Sequence, residues 1–222
     1  FTARGGRVAW NGDKFVAVGI GTNTIAYSYD GIKWTGLSNT IFLIYGWDVA
    51  WNGDKFVAVG EGNHTTAYSY DGIQWTGLTS AFSTRGTAVA WSGDKFVALG
   101  SNSNTSTWSH AAYSYDGTQW TQVTNIPVSG LGVAWDGKKF IAVGENTTIA
   151  YSSDGITWFA VASSNVFGPL VKGITYAKNI NQLDFKVTVP KNVVVVVGEG
   201  TSNSLKYSLD RGITWNTLDS AS

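Results

Sequence analysis

Hydrophobic and polar positions along this chain alternate with a period of two, and Gly, Asn and Asp break the alternation at short intervals. No stretch follows the 3.6-residue period of a helix. The stretch Val8 to Gly19, VAWNGDKFVAVG, recurs letter for letter from Val49 to Gly60. It returns as VAWSGDKFVALG from Val89 and as VAWDGKKFIAVG from Val133. A diverged fifth copy begins at Ile174-Thr175-Tyr176 and resumes at Val193 as VVVVVGEG. The anchoring aromatics Trp10, Trp51, Trp91, Trp135 and Tyr176 stand 41, 40, 44 and 41 residues apart. Each copy predicts four short strands; in the second they are VAW, KFVAVG, TAYSYD and IQWTGL. A four-stranded unit repeating every 40 to 45 residues or so marks a β-propeller, since a solenoid coil is about half that length. The expected fold is all-β: a five-bladed β-propeller of four-stranded antiparallel blades. It forms a single domain over residues 1–222, with repeats at about 7–46, 47–86, 87–130, 131–171 and 172–219.

A second motif follows each first one: YSYDGIKW at Tyr27, YSYDGIQW at Tyr68, YSYDGTQW at Tyr113, YSSDGITW at Tyr151 and YSLDRGITW at Tyr207. The Asp carboxylate suits the backbone N–H groups of a tight hairpin between the third and fourth strands, and the Gly supplies positive φ. The phrase Ser-x-Asp-(x)-Gly-x-x-Trp resembles the Asp box of BNR-type repeats, found in sialidases, photosystem assembly factors and many other propellers. Ser208 to Trp215 fits the full family pattern, whereas the other four copies lack one residue between Asp and Gly. The YSYDG wording is also similar to repeats in proteins of large DNA viruses. The resemblance implies an architectural box lying away from the ligand face. Asp30, Asp71, Asp116, Asp154 and Asp210 are therefore expected to be structural.

Composition narrows the function classes. Lys plus Arg and Asp plus Glu number 15 each, without blocks, which removes the electrostatic footprint of a nucleic-acid or anionic-membrane binder. There is no Cys and no Met, so neither a disulfide framework nor a thiolate metal site is available. No cofactor is expected, and no metal site. No run of about 18 apolar residues exists, so no membrane insertion is expected. The first residues, Phe1-Thr2-Ala3-Arg4, show neither an initiator Met nor a signal-peptide pattern, the expectation for a processed product or an excised domain.

Strand parity places the NGDK turns at Asn11 and Asn52, and the SGDK turn at Ser92, on the same face as the Asp boxes. The opposite face then carries the second-to-third-strand loops and the blade-to-blade crossings, which are where the copies differ. Variation on a repeated framework is where individual roles develop. The crossings hold Ile41 to Tyr45 (with Phe42), Phe82 with Arg85, Ile126-Pro127-Val128, and Val166-Phe167. They read either as packing between blades or as an exposed binding surface. Trp47 and Trp108 are the tryptophans outside the repeat pattern, and Trp108 sits with His110 in an enlarged polar loop. The candidate partner-binding residues are thus Trp108, His110, Phe82, Arg85, Phe42, Tyr45 and Trp47. Glu61, Glu145 and Glu199 all follow the second strand's last Gly, a position that reads as loop-end solvation. N-x-Ser/Thr acceptors occur at Asn63, Asn104 and Asn146, all in the same kind of loop; their glycosylation would place the chain outside the cytosol.

Sialidase-like hydrolysis, as the resemblance defines it, needs three arginines on the substrate carboxylate, a Tyr/Glu nucleophilic pair and an acidic Asp. Only Arg4, Arg7, Arg85 and Arg211 are present, and the Arg-Ile-Pro element of the first blade is missing. A glycosidase carboxylate pair is equally hard to place, since almost every acid occupies a repeated turn or loop position. No catalytic residue is assigned. The expected function is a non-catalytic structural or interaction propeller, extracellular or on a virion or cell surface. Its partner is a protein or an assembly neighbour. The alternative is a lectin-like, glycan-binding propeller.

Overall fold

A computed structural model of the chain describes residues 1–38, 41–79, 81–102, 110–124, 126–145, 148–161, 170–177, 193–199, 205–208 and 216–217. Among the described residues there is no helix, and twenty strands run in five successive groups of four. The first group is β1 (Arg4–Trp10), β2 (Phe15–Ile20), β3 (Ile25–Ser28) and β4 (Thr35–Leu37). The second is β5 (Tyr45–Trp51), β6 (Phe56–Glu61), β7 (Thr66–Ser69) and β8 (Thr76–Leu78). The third is β9 (Arg85–Trp91), β10 (Phe96–Ser101), β11 (His110–Ser114) and β12 (Thr121–Thr124). Next come β13 (Gly130–Trp135), β14 (Phe140–Gly144), β15 (Ile149–Ser152) and β16 (Phe159–Ala160). The last are β17 (Leu170–Ala177), β18 (Val193–Glu199), β19 (Leu205–Ser208) and β20 (Asn216–Thr217). Within each group the strands pair in sequence order, all antiparallel, the sheet architecture of propeller-like folds. The chain divides into two compact units, residues 1–125 and 126–222.

Two expectations about the strands need correction. The first strand of each group starts upstream of the Val-Ala-Trp motif, at Arg4, Tyr45, Arg85, Gly130 and Leu170. The extension is possible because a bulge separates it from the motif: the register slips between Gly46 and Asp48 in β5, and at the same place in the other four first strands. The fourth strand is shorter than IQWTGL. Ile73 and Gln74 spend their N–H groups on the Asp71 carboxylate at 2.8 Å each, and the Trp75 indole donates to Gly72, so pairing begins only at Thr76. The expected excursion from Lys178 to Asn192 does connect β17 to β18, which pair from Ala177 and Val193; its own course lies outside the described residues.

In the first unit the core lies between successive groups. Val16, Val18 and Ile25 of the first pack on Phe42, Val49 and Phe56 of the second. Val57 and Val59 of the second pack on Phe82, Val89 and Phe96 of the third. Val49 and Val89 are buried where β5 and β9 each receive the preceding group. Truncating a core Phe such as Phe56 to Ala is worth about 3 to 5 kcal/mol.

Candidate functional site

At one end of the sheets lie the first-to-second and third-to-fourth turns, as strand parity requires. In four groups the third-to-fourth turn is built identically. Ser28 donates to the Asp30 carboxylate at 3.1 Å, Gly31 N–H donates to Ser28 Oγ, and Ile32 and Lys33 N–H groups donate to Asp30 at 2.8 and 2.7 Å. Asp71, Asp116 and Asp154 repeat this scheme with Ser69, Ser114 and Ser152. The glycine that follows each Asp has φ between 72° and 75°, where a Cβ is strained. Donated hydrogen bonds, those from Lys33 and Ile32 foremost, hold the Asp30 carboxyl below the usual carboxylate range. Partial burial pushes Asp71, Asp116 and Asp154 upward, but the same kind of bonds outweigh it and lower all three. These carboxylates are occupied by their own turns. Asp210 lies outside the described residues.

The first-to-second turns complete this end. Asn11 Oδ1 accepts from Asp13 and Lys14 N–H, and Asn52 does the same for Asp54 and Lys55. Lys14 and Lys55 are largely buried, and each Nζ reaches into the following group, to the Asp71 carbonyl at 3.0 Å and the Asp116 carbonyl at 3.1 Å.

The other end carries the crossings and the second-to-third-strand loops. Phe42 and Phe82 are 0% and 1% exposed, each against a glycine of the second strand, Gly60 and Gly100, where a Cβ would collide with the ring. Thr24 and Thr65 hydroxyls donate to their carbonyls at 2.7 and 2.8 Å. This corrects the reading of Phe42 and Phe82 as contact residues: a ring without solvent access anchors the crossing and has nothing left to offer a partner. A signal for this was present in the sequence, because Phe1, Phe42 and Phe82 recur 41 and 40 residues apart, each three residues before Arg4, Tyr45 and Arg85. His110 is corrected likewise: it opens β11, pairs with Gly100 and Thr124, and is buried.

Tyr45, Trp47 and Arg85 do come together. Trp47 is the extra residue of the β5 bulge, so its ring leaves the ladder and stands 5.0 Å from that of Tyr45. The Arg4 guanidinium lies over the Trp47 ring at 5.6 Å. Tyr45 is paired across strands with Glu61, and Glu61 is paired in turn with Arg85, which joins the sheets of the second and third groups. The Arg85 and Glu61 side chains approach to 3.7 Å. Glu61 is half-buried, so its role is this ion pair rather than loop-end solvation. The sequence reading missed Arg4 and Glu61 as members of the cluster, because the bulge and the β6–β9 bridge that assemble it leave no local signal.

Asn63 is exposed in the β6–β7 loop; Trp108, Asn104 and Asn146 lie outside the described residues. Among the described residues no three His, Asp or Glu side chains group as metal ligands, and no helix is long and apolar enough to cross a membrane. No protein-family model matches the chain, and no curated protein sequence matches it.

Proposed function

We propose that the chain is a five-bladed Asp-box propeller that works as a non-catalytic interaction module on a virion or cell surface. It engages a protein partner through the end that carries the crossings. The observation that carries this reading is the partly buried cluster of Arg4, Tyr45, Trp47, Glu61 and Arg85, assembled where the repeats differ most. Aromatic rings and arginines on a rigid frame are the groups that dominate binding energy at protein interfaces. The non-catalytic half draws support from the turn carboxylates, which are spent on backbone amides, and from the pairing of Glu61 with Arg85.

A photo-reactive residue placed at Tyr45 is expected to capture a defined protein from the native setting, competed away by excess unlabelled chain and abolished by Trp47→Ala. A photo-reactive residue at Lys138, in a turn, is expected to capture nothing that competes. Capture confined to the turn position overturns the assignment of the surface, and turnover of aryl-glycosides or sialosides by the purified chain overturns the non-catalytic reading.

A further inference from the structure

The residue between Ser and Asp of each third-to-fourth turn takes no part in the turn's hydrogen bonds. It is Tyr29, Tyr70 and Tyr115 in the first three groups, and these rings are 57%, 58% and 59% exposed. In the fourth group it is Ser153, yet Ser152 and Asp154 make the same bonds to Gly155, Ile156 and Thr157 at 2.7 to 2.8 Å. The turn therefore does not need an aromatic ring at this place. The lysine of that group, Lys139, lies over the Tyr151 ring instead, at 5.3 Å. A large apolar face kept in water at three equivalent positions, where the fold manages with serine, points to something outside the fold.

The three rings form a row. Lys14 Nζ stands 5.0 Å from the centre of Tyr29 and reaches Asp71, the residue next to Tyr70. Lys55 Nζ stands 4.8 Å from Tyr70 and reaches Asp116, next to Tyr115. Tyr27, Tyr68 and Tyr113 meet the three rings edge-on at 5.8 to 5.9 Å and fix their tilt. Each ring is accompanied by one ammonium and two carboxylates: Lys14 with Asp13 and Asp30, Lys55 with Asp54 and Asp71, Lys95 with Asp94 and Asp116. The second and third groups thus carry one net negative charge each at this end, and in the first Lys33 of the turn brings the balance to zero, so no repeat offers the net positive charge that phosphate, sulfate or uronate chains require. Fixed aromatic faces, which carry partial negative charge, suit the C–H face of a sugar ring, and the exposed carboxylates of Asp13, Asp54 and Asp94 are placed to accept from its hydroxyls. A ligand that uses three identical elements at once is itself a repeat.

We propose that Tyr29, Tyr70 and Tyr115 form a binding row for a neutral polysaccharide, at the opposite end of the sheets from the protein-binding cluster and independent of it. Electrophoresis through gels carrying laminarin, hydroxyethylcellulose, galactomannan or glycol chitin is expected to retard the chain in at least one of them, and dextran sulfate is not. Tyr70→Ser, which copies the residue of the fourth group, is expected to weaken the retarding interaction roughly fivefold to tenfold. The Tyr29→Ser, Tyr70→Ser, Tyr115→Ser triple variant abolishes it, with circular dichroism unchanged, and the corresponding triple Phe variant keeps it. Absence of retardation in all four neutral glycans, retardation in dextran sulfate alone, or equal retardation of the Tyr70→Ser variant and the parent overturns the proposal.

Discussion

Lys14 reaches out of its own four-stranded group and donates from Nζ to the backbone carbonyl of Asp71 at 3.0 Å. The same bond, from Lys55 to Asp116, joins the next pair of groups, so neighbouring sheets are tied at their turns as well as through their cores. Because the lysine stems are largely buried, the bond is shielded from water, and a charge-assisted donor to a carbonyl has more value there than on the surface.

Lys55→Ala is accordingly expected to cost about 1 to 3 kcal/mol, through the lost bond and the lost packing of the stem. Urea unfolding is the measurement, with Lys138→Ala, an exposed lysine, as the reference. Equal midpoints for the two variants would show that the tie contributes nothing.

Two glycines with positive φ separate backbone strain from crowding. At Gly53, φ is 101° and an added Cβ meets nothing within 4 Å, so Gly53→Ala is expected to cost only the strain, about 1 to 2 kcal/mol. At Gly72, φ is 73° and the Cβ would lie 2.7 Å from Val16 Cγ2 of the preceding group. Gly72→Ala should cost more, about 2 to 4 kcal/mol, as overpacking adds to strain. Thermal denaturation of the two variants decides, and Gly53→Ala matching Gly72→Ala would refute the packing argument.

Asp71→Ala is expected to lower stability by about 1 kcal/mol, because the N–H groups of Ile73 and Gln74 lose their acceptor but remain near water, which replaces it in part. That solvent access makes the cost smaller than for a buried turn. Binding at the crossing end should be untouched. A variant with unchanged stability and lost partner binding would reverse the structural assignment of this carboxylate.

The pH dependence of stability should have two limbs. The turn carboxylates have folded pKa values below their unfolded ones; they stabilise the fold above about pH 4, and that contribution is lost as the pH falls further. Asp48 behaves oppositely. Its carboxylate accepts from Val49 N–H at 2.8 Å and, across the groups, from Val89 N–H at 3.0 Å, with the Arg7 charge also acting on it. Burial outweighs these and pushes its pKa up to about 6. A raised carboxyl pKa means that the folded state holds the proton longer. Its contribution is therefore present below about pH 4 and is lost as the pH rises through 6, by up to about 2 to 3 kcal/mol. In Asp48→Asn the decline between pH 4 and 7 should disappear, whatever the variant's overall stability. Parallel pH profiles for the two proteins would exclude Asp48 as its source.

Much of the frame was legible in the residues alone. The four strands of each group, their order, and the turns that share one end all follow from alternation, the repeat period and the Asn-Gly and Asp-Gly pairs, because each is settled within a few neighbouring residues. The Ser–Asp turn is of this kind: Ser28, Asp30 and Gly31 need only one another and the next two amides. The tertiary structure decided everything that depends on residues distant along the chain. Phe42 and Phe82 look like surface aromatics in their loops, and they are buried because Gly60 and Gly100 leave room for them. Trp47 joins Tyr45 because a bulge turns it out of the ladder, and Asp48, half-buried, takes a hydrogen bond from Val89 of the next group. Local chemistry fixes a turn, but burial and electrostatic environment belong to whatever the fold brings alongside.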